Sequence, residues 1–310
     1  MRVPFAALVC AAALVLAACQ QEGPQTGMAG IPGARSEQVR FAPHLPSNLP
    51  TELQPPSTPA AIPAMLRLPP GEGRFPAVVI LHGSGGIDGR GEQYARAFAA
   101  AGIATLEPDM WTARGIANRD GIARRPSFPF AMPDVYGALR FLASHPQIDG
   151  ARVGVMGMSY GAMLSVVVAS DRVGGHYAVG GPDFRAALPL YPTCWTFEPG
   201  EIRSGLVDDS FPRLPLLLMV GDRDDYDADG GTSCRNLVAM GTPAARQRAS
   251  IHIFPGATHA WERVSGSARF QDPGAGRGRS SWVYVERNEA VTQESIRRSV
   301  AFFQENLGAR

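Results

Sequence analysis

The chain has 310 residues, a net charge of +1, 45% hydrophobic residues and 18% charged ones. That apolar content excludes wholesale disorder, and the near-neutral balance argues against nucleic acid as a partner, which would demand a basic surplus. All 29 cationic side chains are arginine, which excludes a Schiff-base or P-loop lysine before any motif is sought.

At the N-terminus Arg2 precedes an apolar run from Val3 to Ala18. At about 16 residues it is shorter than the roughly 20 that a spanning helix needs. The pattern predicts a cleaved signal peptide over residues 1–18. The run ends in Leu16-Ala17-Ala18-Cys19, which resembles the lipobox of bacterial lipoproteins. The resemblance implies that Cys19 is lipidated and becomes the mature N-terminus, with Cys10 discarded. Several acyl chains on one residue anchor a protein stably in a membrane. Gln20, in place of an aspartate, implies by the same resemblance the outer membrane of a Gram-negative cell, facing the periplasm. Cleavage at an ordinary small-residue site, with Cys19 incidental, is the plainer alternative.

Residues 19–59 are rich in Gln, Gly, Pro and Ser without sustained periodicity, so they are expected to form a flexible tether with polyproline character near Pro55 and Pro56. Residues 60–310 then form one catalytic domain of ~250 residues. Within it, Ala77-Val78-Val79-Ile80-Leu81 is a continuous apolar run ending at a loop, the signature of a strand buried on both faces. Runs at 103–106, 153–156, 186–190, 216–220 and 251–254 repeat the pattern, with helix-length stretches at 91–101, 132–143, 160–170, 232–240 and 289–307. Strands alternating with helices predict an α/β class domain, a mostly parallel sheet covered by helices on both faces.

Gly157-Met158-Ser159-Tyr160-Gly161 fits G-x-S-x-G. The five letters alone are a weak signal; their place between a strand and a helix makes them informative. Glycines flank the serine because a sharp turn strains its backbone and brings the neighbouring chain close. A helix N-cap serine is the competing reading.

The strand at 216–220 runs into Gly221-Asp222-Arg223-Asp224-Asp225, and that at 251–254 into Pro255-Gly256-Ala257-Thr258-His259. Both place functional residues beyond carboxyl strand ends, where parallel sheets build their sites. A serine hydroxyl is a poor nucleophile until an imidazole takes its proton, and the imidazole needs a carboxylate to hold its tautomer. His259 is the candidate base, whereas His82 in a glycine loop and His252 inside a strand read as structural, His44 lies in the tether, and His145 and His176 have no strand-end context. Among Asp222, Asp224 and Asp225 the local pattern leaves the acid open, since a carboxylate run after a strand also suits a solvated turn. His82-Gly83-Ser84-Gly85-Gly86 follows the first buried strand. Backbone N–H groups there can hold a developing oxyanion, the expected donors being those of Ser84 and Tyr160. A phosphate cradle would need G-x-G-x-x-G or a P-loop, and neither is present.

Taken together these residues resemble the dienelactone hydrolase family of α/β-hydrolases over about 62–307, whose chain order is also Ser, Asp, His. The carrying stretches are the His82–Gly86 loop, Pro108-Asp109-Met110-Trp111-Thr112-Ala113-Arg114-Gly115, Gly154–Gly161, Gly221–Asp225 and Pro255–Trp261. The resemblance implies an α/β-hydrolase fold and selects Asp224 as the acid. The family's founding enzymes use a cysteine nucleophile where this chain has Ser159, which moves the expectation from dienelactones toward a general carboxylesterase. Arg114 is expected either to receive an anionic substrate group or to brace its loop. Trp111 and Trp261 are expected either to line the substrate pocket or to pack in the core. Similar exported sequences carry cysteines at the places of Cys194 and Cys234, and an even remainder outside the cytoplasm suits a disulfide between them.

The expected activity is hydrolysis of ester or lactone bonds through an acyl-enzyme, without cofactor or metal, on a small-molecule substrate. A serine peptidase of the prolyl oligopeptidase type ranks lower because no propeller repeat is present. A catalytically silent envelope-binding lipoprotein is the reading from another class. The sequence sets no oligomeric state.

Overall fold

The computed structural model describes residues 26–27, 30–116, 128–279 and 282–309. In chain order the elements are β1 (Thr26–Gly27), β2 (Arg35–Phe41), β3 (Ile62–Leu68), β4 (Phe75–Leu81), α1 (Arg90–Ala100), β5 (Ala104–Pro108), α2 (Phe128–Ser144), β6 (Ile148–Met158), α3 (Tyr160–Val168), α4 (His176–Ala178), β7 (Ala187–Leu190), β8 (Leu216–Gly221), α5 (Thr232–Ala239), α6 (Pro243–Arg246), β9 (Ala249–Phe254), β10 (Ala268–Gln271), β11 (Trp282–Val285) and α7 (Glu289–Leu307). One sheet takes the strands in the order β1-β2-β3-β5-β4-β6-β7-β8-β9. From β5 to β9 every pairing is parallel, while β1, β2 and β3 join antiparallel at one edge.

The apolar run of β4 is explained by what covers it. Ala77, Val79 and Leu81 enter a core shared with Val135 and Leu139 of α2 and Leu164 and Val167 of α3. Val78 and Ile80 enter a second core with Tyr94 and Phe98 of α1 and Phe303 and Leu307 of α7. Both faces are therefore dry, and no position in the run tolerates a polar side chain. α7 begins where Asn288 caps the Val291 N–H at 3.1 Å and stops at Gly308, which is left-handed at φ 63°.

The expected tether ends much earlier than Pro59. Arg35–Phe41 pairs along its whole length with β3, and Leu49 and Leu53 are buried. The composition hid an alternating strand: Glu37 and Phe41 are buried while Gln38 and Arg40 are not, and a strand near the sheet edge gains much of its stability from backbone pairing. The β10–β11 hairpin was likewise not foreseen. Residues 1–25, with Cys10 and Cys19, lie outside the described residues.

Candidate active site

The turn at Ser159 is dictated by sterics. Ser159 has φ 53°, a left-handed value rare for a side-chain-bearing residue. A Cβ at Gly157 would lie 2.0 Å from Gly161 O, and one at Gly161 would lie 2.2 Å from Leu81 O. Both glycines are therefore required by contact distance. The Ser159 N–H donates to Leu190 O at 3.1 Å, which ties the turn to the end of β7.

The loops after β8 and β9 are fastened to each other. Asp222 N–H donates to Phe254 O and Arg223 N–H to Ala257 O, at 3.1 and 3.0 Å. Asp222 Oδ1 accepts the Gly256 N–H at 2.7 Å, and Asp225 Oδ2 accepts the Tyr284 N–H at 2.8 Å. Two of the three candidate acids are thus spent on loop structure. Asp224 alone reaches the imidazole: its Oδ2 lies 2.7 Å from His259 Nδ1. His259 Nε2 lies 2.9 Å from Ser159 Oγ. A carboxylate only accepts, so the proton is on Nδ1 and Nε2 accepts from the serine hydroxyl. Asp224 and His259 are both buried, and Asp224 Oδ1 accepts the Tyr226 N–H at 2.9 Å.

His82 is fixed at both nitrogens. Met110 N–H donates to its Nε2 at 3.1 Å, so Nδ1 carries the proton and donates to Gly83 O at 2.8 Å. Burial pushes its pKa down, in keeping with a neutral ring. Gly86 N–H also donates to Gly83 O, at 3.0 Å. In a trans peptide the Ser84 N–H points opposite to that anchored carbonyl. Gly83 itself lies against the serine, where an added Cβ would sit 3.7 Å from Ser159 Cβ. Tyr160 opens α3, where helical N–H groups point out of the end.

Three residues read either as substrate contacts or as structural members are packed as braces. The Trp111 ring is buried, its Nε1–H donates to Ser84 O at 3.0 Å, and its face meets Tyr160 and His82 edge-on. Trp261 is in the core, donating to Ser295 Oγ at 3.2 Å. Arg114 is bidentate on Asp134, at 2.6 and 3.1 Å, and donates to Met110 O and Phe130 O. Both terminal nitrogens are engaged within the protein, which favours the loop brace of the two readings. Burial, opposed by Arg114, pushes the Asp134 carboxyl up to about 6.

Cys194 and Cys234 are joined in a disulfide, with Cα atoms 5.0 Å apart. Asp227 lies beside them and accepts the N–H groups of Cys194 and Trp195; burial and the Asp224 charge push its pKa well up. The two sulfurs and an Asp227 oxygen fall within 4.8 Å of one another, but bonded sulfurs offer no thiolate to a metal.

Sequence reasoning missed a buried network behind His259. The Tyr191 hydroxyl donates to Glu262 Oε1 and receives Arg90 NH1 at 3.1 Å, while Arg90 also pairs with Asp88 at 2.9 Å. Burial works against the Arg90 cation, but Tyr191, Glu262 and Asp88 more than offset it and its pKa is raised. Burial pushes the pKa of Glu262 up. The one signal available was position: Tyr191 directly follows the run at 186–190, at a carboxyl strand end.

Strand order, elbow and strand-end loops together define an α/β-hydrolase. The dienelactone hydrolase family matches residues 62–307, and the chain belongs to that family. It is 27% identical over 222 residues to the mouse bile acid-CoA:amino acid N-acyltransferase, covering 63% of this chain and 50% of that protein. It is 29% identical over 123 residues to the mouse peroxisomal succinyl-coenzyme A thioesterase, covering 39% of this chain and 27% of that protein. The chain thus spans half or less of the length of these curated relatives. Among solved structures, the esterase of Pyrobaculum calidifontis shares the fold with a TM-score of 0.57 at 18% identity, covering 90% of this chain and 88% of that one.

Proposed function

We propose that this chain is a serine hydrolase of carboxylic esters or lactones that works through an acyl-enzyme. The observation that carries the reading is the hydrogen-bonded line from Asp224 Oδ2 through His259 to Ser159 Oγ, with steps of 2.7 and 2.9 Å. Ser159 Oγ attacks the carbonyl carbon as Nε2 of His259 takes its proton, and the imidazolium forms against the buried Asp224 carboxylate. The carbonyl π electrons become an oxyanion held by the N–H groups of Ser84 and Tyr160. One such donor is worth about 2.7–4 kcal/mol in related chemistry. Collapse of the tetrahedral species expels the alkoxide, which takes the proton from His259. Water then releases the acid by the same steps.

A thioester is attacked by the same sequence with a thiolate leaving, and the thioesterase relative supports acyl thioesters as a second substrate class. A burst of p-nitrophenol from a short-chain p-nitrophenyl ester is expected with the wild type, and Ser159→Ala should lower kcat by about 10⁴-fold or more. Equal activity or equal inertness of the two proteins overturns the reading. The lipobox further supports lipidation of Cys19 and an outer-membrane anchor. Metabolic labelling with a fatty acid should mark the wild type and leave Cys19→Ala unlabelled, and label on both sinks this part.

A further inference from the structure

We propose that Tyr191 and Tyr226 are positioning residues that hold the plane of the His259 imidazole, each through a tyrosine–carboxylate pair. The proposal rests on the hydrolase reading above for its kinetic consequence, and on geometry alone for its structural one.

The two hydrogen bonds of His259, to Asp224 and Ser159, lie at its two nitrogens. The free torsion of the side chain is rotation about Cβ–Cγ, which swings both nitrogens off their partners. Packing on the ring opposes that rotation alongside the two hydrogen bonds. The Tyr191 ring centroid lies 4.6 Å from that of the imidazole at 64°, and the Tyr226 centroid lies 4.4 Å away at 51°. These are tilted aromatic contacts at favourable distance.

Each tyrosine is itself anchored at its far end. The Tyr191 hydroxyl donates to Glu262 and is backed by Arg90. The Tyr226 hydroxyl donates to Asp272 Oδ2 at 2.7 Å, and Asp272 Oδ1 accepts the Gly274 N–H at 2.8 Å. Glu262 and Asp272 are both buried. Tyr226 also acts on the other partner, because its N–H donates to Asp224 Oδ1. Tyr191 holds its place at φ 41°, a left-handed backbone that costs energy for a bulky residue, next to the peptide that receives the Ser159 N–H. Two unrelated loops thus spend buried polar groups to present a ring edge or face to one imidazole.

The test compares Tyr226→Leu, which removes the ring from a half-buried site, with Tyr226→Phe, which keeps it; Tyr191→Phe serves as the second site. Readouts are kcat and KM on a p-nitrophenyl ester and the downfield proton resonance of the Nδ1–H bonded to Asp224. Tyr226→Leu should lower kcat by about tenfold to a hundredfold with KM within about twofold, the scale expected when a reacting group is misplaced. Its Nδ1 proton should move upfield or broaden through exchange with water. Tyr226→Phe and Tyr191→Phe, which keep each ring but cut its carboxylate anchor, should lower kcat by an intermediate factor of about threefold to tenfold and broaden the resonance without abolishing it; no change in either readout limits the role to the rings and removes the carboxylate pairs from it. An unchanged resonance in Tyr226→Leu overturns the proposal, whatever happens to kcat. An inert wild type that shows the resonance, lost in Tyr226→Leu, overturns the hydrolase reading and leaves the positioning role standing.

Discussion

Arg114 and Arg90 occupy parallel places in the architecture. Each follows a parallel strand, β5 in one case and β4 in the other, each is close to buried, and each meets acidic partners. Their connections differ. Arg114 turns to Asp134, 20 positions away, and fills its remaining bonds on two nearby carbonyls. Arg90 reaches 101 positions to the Tyr191 hydroxyl and, through it, Glu262, whose Oε2 accepts no hydrogen bond from the described residues. One network closes on the loop it braces. The other spans from the start of α1 to the loop of His259 and ends on a tyrosine packed against the imidazole. The contrast separates an ion pair whose bonds stay with the loop it braces from one whose network reaches the imidazole.

Arg114→Met strands the buried Asp134 carboxylate and should cost about 3–5 kcal/mol in a denaturant titration, whereas Arg90→Met leaves the exposed Asp88 in water, removes only the charge facing buried Glu262 and should cost less. Only Arg90→Met should also lower kcat, by about tenfold per 1.4 kcal/mol of lost transition-state stabilisation. Equal kcat losses in the two folded variants break the comparison.

The next effect is on pH. The Asp134 carboxyl sits at about 6 in the fold against an ordinary 3.8, so the folded chain binds this proton more tightly than the unfolded one. Stability from this group is present in full below 3.8 and is lost as pH rises through 6. The difference is worth about 3 kcal/mol. Asp134→Asn should flatten that slope in unfolding curves taken from pH 4 to 7, and an unchanged slope assigns it to another group.

The smallest effect belongs to Trp111→Phe, which deletes the donor to Ser84 O. A lost hydrogen bond of about 1–1.5 kcal/mol predicts close to a tenfold fall in kcat with KM little changed. A change confined to KM places the indole on the substrate instead.

Part of this site was readable in the chain. The elbow at Ser159 is a matter of five consecutive residues, and the clashes that forbid a Cβ at Gly157 and Gly161 are the reason the motif has glycines there. His259 stood out because it follows an apolar run at the end where parallel sheets place function, although that strand, expected to be buried on both faces, is the half-exposed edge of the sheet. Asp224 did not stand out from Asp222 and Asp225, since each ends as an acceptor and only the fastening of the two loops decides which donor each one meets. Tyr191, Tyr226 and Glu262 carried no local mark, because a buried hydroxyl or carboxylate is recognised only by a partner far away in sequence.

What the sequence determined by itself was whatever short-range sterics and apolar periodicity control: the doubly buried central strands, though not the exposed edge strand β9, and the elbow, the last helix and the Ser, Asp, His order. Tertiary structure alone decided that residues 35–41 form a strand next to the sheet edge, that Arg114 pairs with Asp134, that Trp111 and Trp261 are braces, and that two tyrosines pack on one imidazole. The physical reason is the same in each case. Backbone pairing at an edge and hydrogen bonds between buried side chains depend on which groups the fold brings within about 3 Å, and neither leaves a periodic trace along the chain.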